Sequence, residues 1–189
     1  MKLQLSFYTR TNVVEIARNL LGKTLFTNID GNLTGGIITE TEAYAGVHDR
    51  ASHAYNGRRT ARTEVMYMRG GTAYVYLCYG IHHLFNIVTG EPEVPHAVLI
   101  RGIKVTHGID IIQKRTKKNI TVGEFISGPG KVSKALDINV SYTGTDLLSN
   151  DIWLEDNNFR VDPKTVKTTP RIGVDYAGSD ALLPYRFVI

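Results

Sequence analysis

The chain has 189 residues, 42% hydrophobic and 21% charged, with a formal net charge of +4. That is one domain's worth of chain with enough apolar side chains for a core, which excludes a disordered or fibrous protein. No apolar run approaches the ~20 residues a membrane-spanning helix needs, and Met1 to Arg10 is too polar for a signal peptide, so an intracellular protein without membrane contact is expected.

Asn12 precedes Val13, Ile16, Ala17, Leu20 and Leu21 at helical spacing, Glu15 follows in capping-box position, and Gly22 closes a short amphipathic helix. Lys23 to Thr27 and Leu33 to Glu42 read as strands joined through Asp30-Gly31, a dipeptide suited to a tight hairpin. A long polar loop is expected from Ala45 to about Thr63. Past Gly70-Gly71, Thr72 to Tyr79 is strongly β-prone. Gly80-Ile81 interrupts it before a second run, His83 to Thr89, so another hairpin is expected. Val98 to Ile103 reads as a strand, Ile109 to Arg115 as a helix, and Pro129 to Leu136 as a helix with proline in its first turn. The tail offers only short strands and turns, and nothing divides the chain.

Charge is uneven along the chain. Residues 50 to 118 carry 11 basic and 4 acidic side chains, a local net of +7, while the flanking segments are slightly acidic. Six of the ten tyrosines lie in or beside that zone. Basic side chains interleaved with aromatic ones suggest nucleic acid, with Arg58, Arg59, Arg62 and Lys104 as phosphate-contact candidates. A solvated basic face is the plain alternative.

Glu40 and Glu42 stand two apart on a strand and so share a face. Acid and base carboxylates of a glycosidase must flank the scissile bond, so here one would act alone. An exposed strand with two solvated acids is the competing reading. Histidines 48, 53, 82 and 83 have no metal-ligand spacing, and the single Cys78 can form neither an internal disulfide nor a cysteine metal centre. His82-His83 suits a phosphate or groove surface. The Gly-Pro-Gly-Lys of residues 128 to 131 only weakly matches a helix-hairpin-helix turn, although amides at that helix start could bind phosphate.

Taken in order, Glu40-Thr41-Glu42-Ala43-Tyr44, Ala51-Ser52-His53, the run Gly71 to Gly80, Asn86-Ile87, Val98-Leu99-Ile100-Arg101 and Ser127-Gly128-Pro129-Gly130-Lys131 closely resemble the alkyladenine (3-methyladenine) DNA glycosylase family. The resemblance extends from about Val13 through Arg171-Ile172-Gly173-Val174 to Pro184-Tyr185-Arg186-Phe187. It implies a single mixed α/β (α+β) domain over residues 1–189, built around a curved antiparallel sheet with a protruding β-hairpin that enters DNA.

The resemblance further implies a base-excision-repair enzyme that flips alkylated or deaminated purines out of duplex DNA, 3-methyladenine and hypoxanthine among them, and hydrolyses the N-glycosidic bond. Glu42 matches the general base, Arg101 a second group on the attacking water, and the Ile172 carbonyl a third. Tyr44, Tyr76 and His53 match pocket walls, Asn86 the pocket floor, and Tyr79 the intercalating residue. No lysine matches a Schiff-base nucleophile, so a monofunctional enzyme that leaves an abasic site is implied. Damaged double-stranded DNA is the implied partner of a monomer with no cofactor and no metal. Ile81 departs from the family pattern, in which a longer side chain braces the wedge. The chain begins almost directly at the catalytic domain, so partners recruited through an N-terminal extension are not assumed. A non-catalytic damaged-DNA binding protein on the same scaffold, or an enzyme acting on free nucleosides, are the alternatives.

Overall fold

The computed structural model describes all 189 residues, and its architecture follows from where the chain is able to turn. A one-turn helix α1 (Leu5–Tyr8), which no sequence signal announces, leads into α2 (Val13–Leu20). Asn12 Oδ1 caps α2 by accepting the Glu15 N–H at 3.1 Å. The Glu15 carboxylate turns instead to Asn19, so the cap is one-sided. Strands β1 (Thr24–Ile29) and β2 (Asn32–Tyr44) join through Asp30 and Gly31 at φ 52° and 74°. Two successive left-handed residues form the turn whose twist matches a hairpin. Strands β3 (Ala73–Cys78) and β4 (His82–Thr89) repeat the device with Tyr79 and Gly80 at φ 52° and 72°.

Strand β5 (His96–His107) runs well past the Val98 to Ile103 expectation, because it must span the whole of the long β2. It is followed by α3 (Ile109–Thr116), β6 (Phe125–Ser127), α4 (Pro129–Leu136), β7 (Ile152–Glu155), β8 (Lys167–Thr169) and β9 (Arg186–Val188). The sheet is curved and antiparallel throughout, in the order β3-β4-β5-β2-β1-β7. Strand β9 takes the length of β2 that β1 leaves free, pairing Glu40 to Glu42 with Val188 to Arg186. Helices α2, α3 and α4 close one face of the sheet in a 29-residue apolar cluster. No helix is long and apolar enough to cross a membrane.

Two register shifts in the β2–β5 ladder decide where polar side chains point. Ile38 faces Ile103, Glu40 faces Gly102 and Thr41 faces Ile100, so Thr39 is the extra residue on β2 and Arg101 the extra residue on β5. Bulges of this kind redirect side chains. Ile38 and Ala43 belong to the apolar cluster, and Thr41 Oγ1 donates to the Ala17 carbonyl of α2 at 2.8 Å. An unbroken strand could not send both residue 38 and residue 41 to one face. The break at Thr39 does, and it leaves Glu40 and Glu42 on the other face. Gly102 is required beside it, since a Cβ there would stand 2.9 Å from Thr39 Oγ1 and 3.0 Å from Glu40 Cβ.

The stretch from Ala45 to Thr63 is not the solvated polar loop that its composition suggests. Short 3-10 turns at Gly46–His48 and Tyr55–Gly57 fold it inward, and Asp49, Ala51, Ser52, Ala54 and Thr63 are buried.

Two glycines separate conformational strain from crowding. Gly31 (φ 74°) faces open space, whereas a Cβ on Gly108 (φ 69°), where β5 parts from β2, would lie 2.3 Å from the Leu33 carbonyl oxygen. Gly31→Ala is expected to cost only the left-handed penalty of about 1–2 kcal/mol. Gly108→Ala must also displace backbone and should cost clearly more. Urea melts of both variants check this, and equal losses would contradict the close packing at Gly108.

Candidate active site

A cavity of about 420 Å³ opens between the β3–β4 hairpin, β5, the Gly128 to Lys131 start of α4 and the segment Ile172 to Tyr176. Tyr44, His53, Tyr76, Tyr79, Asn86, Arg101 and Ile172 all line it, so residues spread over most of the chain converge there. Glu42 does not reach the cavity surface. It is fully buried behind three of those wall residues and bonded to two of them.

The Glu42 carboxylate is held on both oxygens. Oε1 accepts the Ile172 backbone N–H at 2.8 Å and lies 3.3 Å from Arg101 Nε, and Oε2 accepts the Tyr44 hydroxyl at 2.8 Å. Glu40, on the same face, accepts Arg101 Nε at 2.8 Å and Arg186 Nε at 2.7 Å on one oxygen. Neither acid is solvated, which overturns the exposed-strand reading: Glu40 is 5% exposed and Glu42 0%. Their environments act in opposite directions. Burial pushes the Glu42 carboxyl above the usual carboxylate range, against the Arg101 charge and the hydrogen bonds from Ile172 and Tyr44. Burial also works on Glu40, but the hydrogen bonds and charges of Arg186 and Arg101 outweigh it and hold that carboxyl below its ordinary value. Glu40 is therefore a fixed counter-ion, and Glu42 is the carboxylate that takes up a proton more readily of the two.

The aromatic part of the wall is uncharged. His53 Nδ1 pairs with the Tyr74 hydroxyl at 2.8 Å, and its ring meets Tyr76 edge-on at 4.7 Å between centroids. Burial, then the charges of Arg62 and Arg58, lowers the His53 pKa to about 4, so the ring is neutral at physiological pH. Burial likewise raises the phenols of Tyr44 and Tyr76, keeping both protonated. Asn86 is fixed by two hydrogen bonds from Nδ2, to the Tyr74 and Leu84 carbonyls at 3.2 Å each. Tyr79 stands on the hairpin tip, 91% exposed and left-handed, flanked by the exposed Leu77 and Ile81. Its left-handed backbone serves the hairpin turn, whereas its ring is left in solvent and takes no part in the core.

Sequence reasoning passed over the group that holds these parts in place. Arg171 is buried and donates to both Asp49 oxygens at 2.5 and 2.9 Å, to the Ala43 carbonyl at 2.9 Å and to the Asp180 carbonyl at 3.1 Å. Its guanidinium also lies 4.8 Å from the Tyr44 ring centroid. It thereby fixes the segment that presents the Ile172 N–H to Glu42. Asp49 and Arg171 are 122 residues apart, and no spacing rule connects them. The one available signal for the neighbouring bulge was Gly102, a glycine inside a strand pattern.

Among the phosphate-contact candidates, Arg59 is withdrawn. It is committed to Glu64 and Glu93 at 2.7 and 2.5 Å and covers the Tyr67 ring. Lys104 lies 5.7 Å from the Phe125 ring centroid, whereas Arg58 and Arg62 stay exposed beside His53 and Tyr76.

A profile of the family described as "Methylpurine-DNA glycosylase (MPG)" matches residues 6–189. Three relatives carry the name "Putative 3-methyladenine DNA glycosylase". That of Chlamydia felis is 46% identical over 97% of this chain and 94% of its own length. That of Chlamydia abortus is 45% identical over 97% and 96%. That of Clostridium perfringens strain 13 is 41% identical over 100% and 96%.

The raised Glu42 carboxyl has a measurable consequence for stability. An acid whose pKa is higher in the folded than in the unfolded chain costs nothing below the unfolded value, and its full cost appears above the folded one. Glu42→Gln is therefore expected to melt higher than the wild type at pH 8, by about 2–4 °C for each ~1 kcal/mol relieved. The gap should close as pH falls toward ~4. A variant that melts lower at pH 8 would contradict the raised carboxyl.

Proposed function

The chain belongs to the methylpurine-DNA glycosylase family, and from that membership we propose that it removes alkylated and deaminated purines from duplex DNA by flipping the nucleotide and hydrolysing its N-glycosidic bond with a water activated by Glu42. The family makes it a DNA glycosylase of alkylation repair. The observation that carries the finer reading is the buried Glu42 carboxylate, gripped on both oxygens directly behind an aromatic cavity.

The steps follow from the chemistry of the bond. The N-glycosidic bond is inaccessible in stacked DNA, so the base must leave the stack, and a damaged base leaves at lower cost. Tyr79, with Leu77 and Ile81 beside it, enters the minor groove and fills the vacated space. The flipped base lies against Tyr44 and Tyr76, whose π faces attract a positively charged alkylated purine. The neutral His53 adds no opposing charge. Asn86, immobilised by its two backbone hydrogen bonds, occupies the floor where the 2-amino group of normal guanine would need room.

As the bond to the base breaks, its electron pair leaves with the purine and cationic character develops at C1′. Water adds to C1′ and gives its proton to Glu42 Oε2 once the Tyr44 hydroxyl that covers this oxygen has turned aside, and the carboxylate also stabilises the developing cation. Arg101 and the Ile172 carbonyl orient that water, and the Arg101 charge works against the burial that raises the Glu42 carboxyl. In this reading water is the nucleophile and an abasic site is the product, and no lysine stands among the residues that grip Glu42. Arg58 and Arg62 beside the cavity, with Lys131 at its rim, take the flanking phosphates.

Glu42→Gln keeps the shape and removes the base. It is expected to lower single-turnover excision of 3-methyladenine or hypoxanthine by at least ~100-fold, while lesion-DNA affinity persists. Glu40→Gln should lose less, because it acts through Arg101. Alkali cleavage of lesion oligonucleotides measures both, and near wild-type excision by Glu42→Gln would sink the catalytic assignment.

Tyr79→Ser tests the wedge. It should slow excision from duplex DNA while leaving the melting temperature unchanged, and the loss should shrink when the lesion sits in a bulge, where less stacking must be replaced. Equal losses on duplex and bulge, or an unfolded variant, would make Tyr79 a packing residue.

A further inference from the structure

A second groove, of about 580 Å³, lies on the other flank of the same hairpin, between β4 and α4. It is lined by His82 and His83 from β4, Ser133 and Lys134 from α4, Arg115 from α3, and Asn139. Two polar atoms in this lining have no partner although both are buried: Ser133 Oγ, on a residue only 1% exposed, and His83 Nδ1. Two unpaired polar atoms on residues of one groove suit a ligand there, since a buried polar group left unmatched is destabilising.

The remaining chemistry is donor-rich. The one carboxylate in the lining, Asp137, is already paired with Arg115 at 3.0 Å, and Lys134 has no acidic partner. Asn139 uses its Oδ1 to accept Ser141 N and Oγ, which leaves its amide N–H groups for a ligand. Such a set suits an anion with several acceptor oxygens.

We propose that this groove binds a phosphodiester group of the DNA strand opposite the lesion. The inference rests on the glycosylase reading above. His82 and Gly130 line both the lesion cavity and this groove, so the two sites share a wall. The minor groove is only about 6 Å wide. A hairpin inserted there has one strand against each flank. The flank with the aromatic cavity takes the strand whose nucleotide is flipped, and the flank with Lys134 and Ser133 takes its complement. Gripping both strands would add affinity for the duplex without touching the flipped base.

The test uses lesion duplexes in which one uncharged methylphosphonate is stepped through the undamaged strand, with wild type, Lys134→Ala and Ser133→Ala. Wild-type affinity is expected to fall about tenfold at one position. Lys134→Ala should lose a similar factor on the unmodified duplex and become insensitive to the methylphosphonate at that position. Ser133→Ala should also weaken binding while melting no lower than wild type, because it removes a hydroxyl that has no partner in the fold. Single-turnover excision at saturating DNA should be unchanged in both variants. Losses that simply add at every position, or unimpaired duplex binding by both variants, would overturn the groove as a phosphate site. A wild-type protein that releases no base would instead overturn the glycosylase reading on which the groove rests.

Discussion

A carboxylate buried out of water is among the least favourable things a fold can contain, and the interior around Glu42 is organised by the need to tolerate one. Two hydrogen-bond donors and a positive charge from three parts of the chain meet it: a phenol two residues along its own strand and a backbone amide 130 residues away as donors, and a guanidinium from the neighbouring strand as the charge. They do not fully offset the burial, and the carboxyl remains harder to ionise than an ordinary one. In the proposed mechanism that shortfall is useful. A carboxylate stabilised too well, as Glu40 is by Arg101 and Arg186, makes a poor base, whereas one left partly uncompensated accepts a proton readily. On that proposal the arrangement trades stability for reactivity.

Supplying those groups explains features of the fold that core packing alone would not require. Arg101 reaches the acids because it is the extra residue of a bulge, and the acids face away from the apolar cluster because of the bulge at Thr39. The short strand β9 brings Arg186 alongside Glu40. The Asp49–Arg171 pair anchors the segment bearing Ile172, and its guanidinium lies against the Tyr44 ring. A buried ion pair is not in itself evidence of stability, and a well-packed apolar pair would often serve as well. What this pair adds is fixed geometry, because it ties the end of β2, the folded loop after it and the distant 171–174 segment to one point.

The sequence makes the turns legible because turn chemistry is local. Asp30-Gly31 forms the left-handed turn expected of it, the second hairpin turns at Tyr79-Gly80, one residue before the expected break at Gly80-Ile81, and Pro129 to Leu136 is a helix with the expected limits. The residues of the cavity were reached through resemblance, in which order and spacing stand in for contacts that no single segment reveals. The rest was hidden for two physical reasons. Bulges shift register by one residue and leave hydrophobic alternation almost intact, so Thr39 and Arg101 look like ordinary strand positions. Burial of Asp49 depends on Arg171, and Arg59 is lost to Glu64 and Glu93 rather than free for phosphate, because partners are set by tertiary folding. Charge counting along the chain does not see ion pairs.

The central claim is that Glu42 accepts the proton of the attacking water from a buried site that raises its pKa. The most direct measurement is the pH dependence of single-turnover excision of a cationic lesion base such as 3-methyladenine, with saturating enzyme. The rate should climb about tenfold per pH unit at low pH and level off at a break above the ordinary carboxylate range of about 4.3. Tyr44→Phe, which removes one donor to the carboxylate, should move that break to higher pH. A rate that is flat through this range, or that falls as pH rises, would contradict a carboxylate base at residue 42.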